Sequence, residues 1–320
     1  MAIKLNGMFR HRRSQDIVHR WDGNPLIGIA DVPFKCNDIH NASAVDFHDD
    51  LLLLVTVEHL SGQRCVHVAK AGPSGQFEVV AKPLLKPSTQ PPYLTHERDG
   101  VLDARVTFLD GVYYIMYNAL GEHGYRLGLA KTQDFKTVER IGLISEPDTK
   151  AGVLFPKKIG GRYARLERPS QGQSIWVSYS DDLIYWGSSQ RVIGPRGGFW
   201  DASRVGAGPT PMAVDAGWLV IYYGAKDTSA GPIYRIGAML LDHDDPTRVI
   251  GRSGIPILSP REMYERIGDV QNLVFSTGAF VDEDDQLHIV YGAANSCICM
   301  GTTTVQDVVD HCLKAPKEDL

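Results

Sequence analysis

Hydrophobic positions fall in short runs broken by Gly, Asp and Asn, the pattern of strands joined by tight turns and not of long helices. Apolar stretches at 42–45, 51–57 and 65–69 are separated by the turn His48-Asp49-Asp50 and a polar loop. The same plan returns at 104–108, 112–118 and 125–131 around Asp110-Gly111. It recurs with Gly160-Gly161 before 163–166 and 175–179, with Ala216-Gly217 before 218–223 and 234–241, and with Asp284-Asp285 before 287–291 and 297–302. Successive turns are roughly 50 to 70 residues apart, the length of one four-stranded blade with long loops. The expected fold is therefore all-β, a single five-bladed β-propeller domain over 1–320 with a central axial pocket; a sandwich of hairpins is the alternative. Helical periodicity is confined to 259–265 and 305–313, where Val305, Val308, Val309 and Cys312 share a face. The segment before about residue 25 and the helix near 304–314 are expected to cap the body, with a homo-oligomer contact as their other use.

Composition narrows the functional classes. The 320 residues are 43% hydrophobic and 22% charged, and 33 Lys plus Arg against 38 Asp plus Glu leave a formal charge of -5. That balance excludes disorder and offers no basic field to a nucleic-acid backbone or an anionic membrane. The longest apolar run, 51–57, is far below the roughly 18 to 20 residues that span a bilayer. Arg10, His11, Arg12 and Arg13 are followed by polar residues and not by the apolar core of a secretion signal, so a cytoplasmic location is expected. Five sparse cysteines (Cys36, Cys65, Cys297, Cys299 and Cys312) fit reduced thiols, and no spacing suits zinc or a calcium cage. Nucleophile elbows, His-Glu-x-x-His and Gly-rich phosphate loops are missing from the sequence.

Candidate chemistry lies where polar residues open the repeat units. Asp103 and Arg105 sit two apart, hence on one face of a regular strand, as a general acid with its cation or as a structural ion pair. Lys150 and Arg168 flank the third unit's first hairpin; a compact charge beside a planar fork would hold an oxyanion, with surface solvation as the alternative. Trp200-Asp201, followed by paired glycines and prolines, would hold a sugar by stacking and hydroxyl hydrogen bonds, or else form a packed corner.

Together these stretches resemble glycoside hydrolase family 130, the β-mannoside phosphorylases and β-mannosidases. The resemblance is carried by Asn24-Pro25-Leu26-Ile27, Leu102-Asp103-Ala104-Arg105-Val106-Thr107, Leu154-Phe155-Pro156-Lys157-Lys158-Ile159 with Arg168-Pro169, and Ser178-Tyr179-Ser180-Asp181-Asp182-Leu183-Ile184-Tyr185-Trp186. Two further stretches are more specific: 200–211 followed by Gly217-Trp218-Leu219-Val220-Ile221-Tyr222, and Gly268-Asp269-Val270-Gln271-Asn272-Leu273-Val274-Phe275-Ser276-Thr277-Gly278. The resemblance implies a five-bladed propeller and an inverting attack on a short β-mannoside. Asp103 would be the proton donor, acting in phosphorylase members through the sugar's 3-hydroxyl. Inorganic phosphate would be the co-substrate, giving α-mannose 1-phosphate reversibly, with no cofactor or metal. Lys150 and Arg168 match the phosphate-facing cations, and Arg105 would orient Asp103 or a substrate hydroxyl.

The chain departs from the family pattern at several points. Asp103-Ala104-Arg105 replaces Asp-Pro-Arg, Tyr223 stands for a phosphate-binding histidine, His40-Asn41-Ala42 replaces Phe-Asn-Pro, Thr56 an arginine and Asn295 an aspartate. Asn41 is retained as a contact to sugar or phosphate, and Asn295 keeps hydrogen bonding without charge. Two alternatives follow: an inverting β-mannosidase with Asp201, Glu265 or Asp269 activating water, and a non-catalytic glycan-binding propeller.

Overall fold

A computed structural model describes residues 15–48, 50–72 and 75–315, so Asp49 of the first expected turn and the basic run at 10–13 lie outside the described residues. The chain is mostly β, with five successive antiparallel units. The first holds Cys36–Phe47, Asp50–His59, Arg64–Ala71 and Phe77–Val79; the second holds Gly100–Leu109, Val112–Gly121, Gly124–Thr132 and Glu139–Leu143. The third runs Thr149–Leu154, Tyr163–Pro169, Ile175–Ser180, Gly187–Ile193. The fourth joins Arg204–Ala207, Gly217–Thr228, Gly231–Leu241 and Val249–Arg252, and the fifth Val274–Val281, Gln286–Ala293 and Cys297–Thr304. These units form four sheets, because a single parallel pair, Arg64 to Gly100, joins the first two. A side chain at Gly100 would lie 2.7 Å from the Cβ of Arg64, so only glycine admits this junction. None of the four sheets closes on itself.

The N-terminal strand His19–Arg20 pairs with Cys297–Thr304 and completes the fifth unit from the other end of the described chain. Period-two alternation sends apolar residues to both faces of each unit, and the gaps between units fill with five separate cores. Leu51, Leu53, Val55 and Val57 face the fifth unit, while Leu52 and Leu54 face the second, which explains why 51–57 is almost continuously apolar. The remaining gaps, second to third, third to fourth and fourth to fifth, have their own clusters. Contacts between neighbouring units run from the first to the fifth and back to the first.

The expected C-terminal helix forms as Val305–Lys314, capped by Thr304 Oγ1 and packed through Val308, Val309 and Cys312. The helix expected at 259–265 shrinks to Met263–Arg266. Pro260 disfavours helical backbone at Ser259, and the buried Glu265 carboxylate takes the N–H groups of Arg261 and Glu262, so the helix begins only at Met263. Among the described residues no helix is long and apolar enough to cross a membrane, and all five cysteines are free thiols.

Candidate active site

The first strands of the units do not run straight into the centre. Register slips between His40 and Ala42, between Leu102 and Arg105, and between Lys150 and Val153. Inside those slips Asn41, Asp103 and Ala151 take positive φ of 49°, 55° and 54°. A bulge of this kind re-aims one side chain out of the pleat, and here the same device occurs in three consecutive units. All five units contribute to the cavity of about 400 Å³ that results, through residues such as Asn41, Asp103, Lys150, Tyr223 and Phe275.

Asp103 is fixed from three sides. Its N–H donates to Thr56 Oγ1 at 3.0 Å, Asn41 Nδ2 donates to Oδ1 at 2.6 Å, and Asn118 Nδ2 donates to Oδ2 at 2.9 Å. Both carboxyl oxygens thus have neutral donors, and no cation contacts them directly. The bulge separates Asp103 from Arg105, so the expected shared face is lost. Arg105 is 1% exposed and gives its guanidinium to the backbone carbonyls of Asp103, Ala207 and Gly208. It orients Asp103 through the main chain and does not line the cavity.

Lining the same cavity as Asp103, Lys150 and Arg168 face each other across the third unit's first hairpin. Lys150 Nζ stands 4.4 Å over the Tyr125 ring. Burial, reinforced by Arg168 and only partly offset by Asp103, lowers its pKa to about 8. Arg168 is 3% exposed, donates from Nη1 to Gln173, and keeps a buried Nε without a partner. Among the described residues neither cation has a carboxylate partner, whereas the other two cavity cations do: Arg64 pairs with Glu58 and Arg204 with Asp227, each at 2.6 Å. Two positive groups with spare hydrogen-bonding capacity, in one cavity with a carboxyl, have the chemistry to hold a tetrahedral anion.

Tyr223 lines the same space, its ring 4.6 Å from Phe275, and burial raises its phenol, which stays a neutral donor. Gly206 lacks a side chain because the Tyr223 ring lies 2.5 Å from where a Cβ would stand. Asn295, at φ 55°, reaches the cavity, and the buried Oδ1 of Asn41 has no partner, leaving an acceptor for a hydroxyl.

Two expected sugar contacts are corrected by the structure. Trp200 is buried against Tyr222 and over Gly224 and Gly237, the packed corner. Asp201 is fully buried and bound by Arg196, Arg252 and the Tyr222 hydroxyl at 2.7 to 2.9 Å. Glu265 is likewise sealed by Arg20 and the Tyr291 hydroxyl, while Asp269 is exposed outside the cavity. None of these three alternative bases reaches the cavity, and Asp103 is the sole carboxylate among its described lining residues. Sequence reasoning missed Asn118, although counting hairpin register back from Asp110-Gly111 brings it level with Asp103; the bulge pairs it with Leu102, and its side chain reaches Asp103. It also missed Arg64 and Arg204, which carried no signal because their place depends on packing between units.

Comparison with known proteins agrees with this geometry. A family model described as beta-1,4-mannooligosaccharide phosphorylase, glycoside hydrolase family 130, matches residues 60–314. A beta-1,4-mannooligosaccharide phosphorylase of Ruminococcus albus is 31% identical over 93% of this chain and 91% of its own length. A beta-1,2-mannobiose phosphorylase of Listeria innocua is 35% identical over 78% of this chain and 71% of its own. A solved complex of beta-1,2-mannobiose phosphorylase from Listeria innocua with beta-1,2-mannobiose superposes with a TM-score of 0.84 at 28% identity, covering 92% of this chain and 99% of that one. The chain belongs to glycoside hydrolase family 130.

Proposed function

We propose that the protein is an inverting β-mannoside phosphorylase that cleaves a short mannoside with inorganic phosphate to give α-mannose 1-phosphate, reversibly. The observation that carries this reading is that, among the described residues, a single cavity carboxylate, Asp103, shares the cavity with two cations that lack carboxylate partners, Lys150 and Arg168. Inverting hydrolysis needs a second carboxylate about 6.5 to 9.5 Å from the first to activate water. Phosphate is nucleophilic at neutral pH and needs cations to position it, not a base.

In the proposed reaction a phosphate oxygen, held by Lys150, Arg168 and Tyr223, forms a bond to the anomeric carbon as the glycosidic C–O bond breaks on the opposite face. Asp103 supplies the proton that leaves with the acceptor sugar, relayed by the 3-hydroxyl, and Asn41 and Asn118 keep its two oxygens in place. Asn41 Oδ1 and Asn295 contact sugar hydroxyls. No cofactor is needed beyond phosphate as co-substrate. The five inter-unit cores and the circle of unit contacts support reading the architecture as a single-domain five-bladed propeller whose axis holds the cavity.

The test is incubation with α-mannose 1-phosphate and mannose, glucose or N-acetylglucosamine. Phosphate release with a new β-mannoside is the expected result and names acceptor and linkage together. No release, with free mannose liberated from β-mannobioses in phosphate-free buffer, would transfer the reading to a hydrolase.

A further inference from the structure

A second cavity, of about 780 Å³, lies between the second and third units. It shares Ser170 with the catalytic cavity, and the two spaces lie on opposite faces of one hairpin. Lys150 and Arg168 point to the catalytic side, while their strand neighbours Thr149, Glu167 and Pro169 line the other, as alternation along a strand requires.

The chemistry of this cleft suits a neutral, hydroxyl-rich chain. Three aromatic side chains line it: Trp176, Tyr185 and Trp186. Tyr185 is 80% exposed, far more than packing would leave a tyrosine, and Trp176 and Trp186 are half-buried. The Trp186 ring is held in place, with Nε1 donating to the Leu183 carbonyl at 3.0 Å and the Arg165 guanidinium 4.3 Å from its centre. Beneath the aromatics Arg165 pairs with Glu167 at 2.6 Å; these residues are 3% and 7% exposed, and Arg165 Nε has no partner. Glu146 and Asp148 stand exposed on the lip. Carboxylates and guanidinium groups of both signs are mixed, so no net field selects an ion. Apolar ring faces beside fixed acceptors and donors match the C–H faces and hydroxyls of a pyranose.

We propose that this cleft is a second saccharide-binding site, which takes the far part of a mannooligosaccharide whose reacting end lies in the catalytic cavity, the chain passing over the rim at Ser170. The identity of the sugar rests on the phosphorylase reading; the site itself does not. Longer substrates then bind better than mannobiose, which cannot reach Tyr185, and the chemical step is the same for both.

The experiment compares wild type with Tyr185→Ala and Trp176→Ala, using mannobiose and mannohexaose of whichever linkage is cleaved. Loss of one stacking ring should raise KM for the hexaose about three- to tenfold and leave KM for mannobiose and both kcat values unchanged. An equal change for both lengths, or none for either, overturns the proposal. A binding measurement needs no turnover: β-1,4- and β-1,2-mannohexaose are titrated against tryptophan fluorescence. A response in wild type that is lost in Tyr185→Ala supports the cleft even if phosphorolysis is never seen; no response, or one unchanged by the substitution, overturns it.

Discussion

Among the carboxylates held by side-chain hydrogen bonds in or near the interior, Asp201, Glu265, Glu97 and Asp103 are divided by the way they are held. Asp201, Glu265 and Glu97 are each fully buried, and each takes at least one arginine and one tyrosine hydroxyl: Arg196, Arg252 and Tyr222; Arg20 and Tyr291; Arg140 and Tyr117. The three phenols have raised pKa values, with burial the first cause, so they remain donors. Asp103 instead takes two side-chain amides, and Lys150 and Arg168 line the same cavity without contacting its carboxylate. A carboxylate closed by guanidinium groups has no capacity left for a substrate and ties segments together. One held by neutral amides keeps a fixed position, and its proton can be exchanged with a ligand. The cations differ in the same way, since Arg196 and Arg252 are paired with Asp201 whereas, among the described residues, Lys150 and Arg168 have no carboxylate.

The sharpest way to break this contrast is to neutralise one carboxylate of each kind. Asp103→Asn should lower phosphorolysis by about 10²- to 10⁴-fold, the contribution of a general acid, with an unchanged melting temperature. Asp201→Ala should do the reverse: it strands two buried guanidinium groups, costing about 3–5 kcal/mol of stability by chemical denaturation, while the folded fraction keeps its kcat. Comparable activity losses in both variants, or a destabilised Asp103→Asn, would erase the distinction. Next in size, Arg168→Ala should raise KM for phosphate about 10- to 100-fold, the worth of a charge-assisted hydrogen bond, and leave the free-enzyme response to mannoside nearly unaltered.

The contrast also has a pH signature. Lys150 is charged below about 8 and neutral above, so KM for phosphate should rise above that pH, approaching tenfold per unit, in initial-rate profiles. Stability moves the other way: the unfolded chain holds this proton into the ordinary lysine range, so between about 8 and that range the group's contribution to folding stability rises with pH. Lys150→Arg should remove the pH dependence of KM. The smallest expected effect is that of Thr56→Val, which removes the acceptor of the Asp103 N–H and should cost about 1 kcal/mol with a few-fold loss of kcat.

Much of this was legible in the sequence because local rules carried it. Turn residues at Asp110-Gly111, Gly160-Gly161, Ala216-Gly217 and Asp284-Asp285 mark real hairpins, and the helical spacing of Val305, Val308, Val309 and Cys312 marks a real helix. Asp103, Lys150, Arg168, Tyr223, Asn41 and Asn295 all reach one cavity, as the motifs suggested. What strand periodicity alone misjudged was Arg105, because a bulge at Asp103 cancels the two-residue face rule, and nothing in the string Leu102-Asp103-Ala104-Arg105 announces a positive φ. Trp200 and Asp201 were misplaced for another reason: Arg196 is close in sequence, but Arg252 and Tyr222 close the network from distant strands, and only packing reveals that the carboxylate is already satisfied.

The most direct measurement of the central claim is the product formed from β-1,2- and β-1,4-mannobiose by purified protein, with and without inorganic phosphate. The account predicts α-mannose 1-phosphate in proportion to phosphate supplied, loss of that product in Asp103→Asn, and no free mannose from the non-reducing unit in phosphate-free buffer. Free mannose released at the same rate in the absence of phosphate would contradict it, since the cavity would then contain a water-activating base that Asp103, Lys150 and Arg168 do not provide.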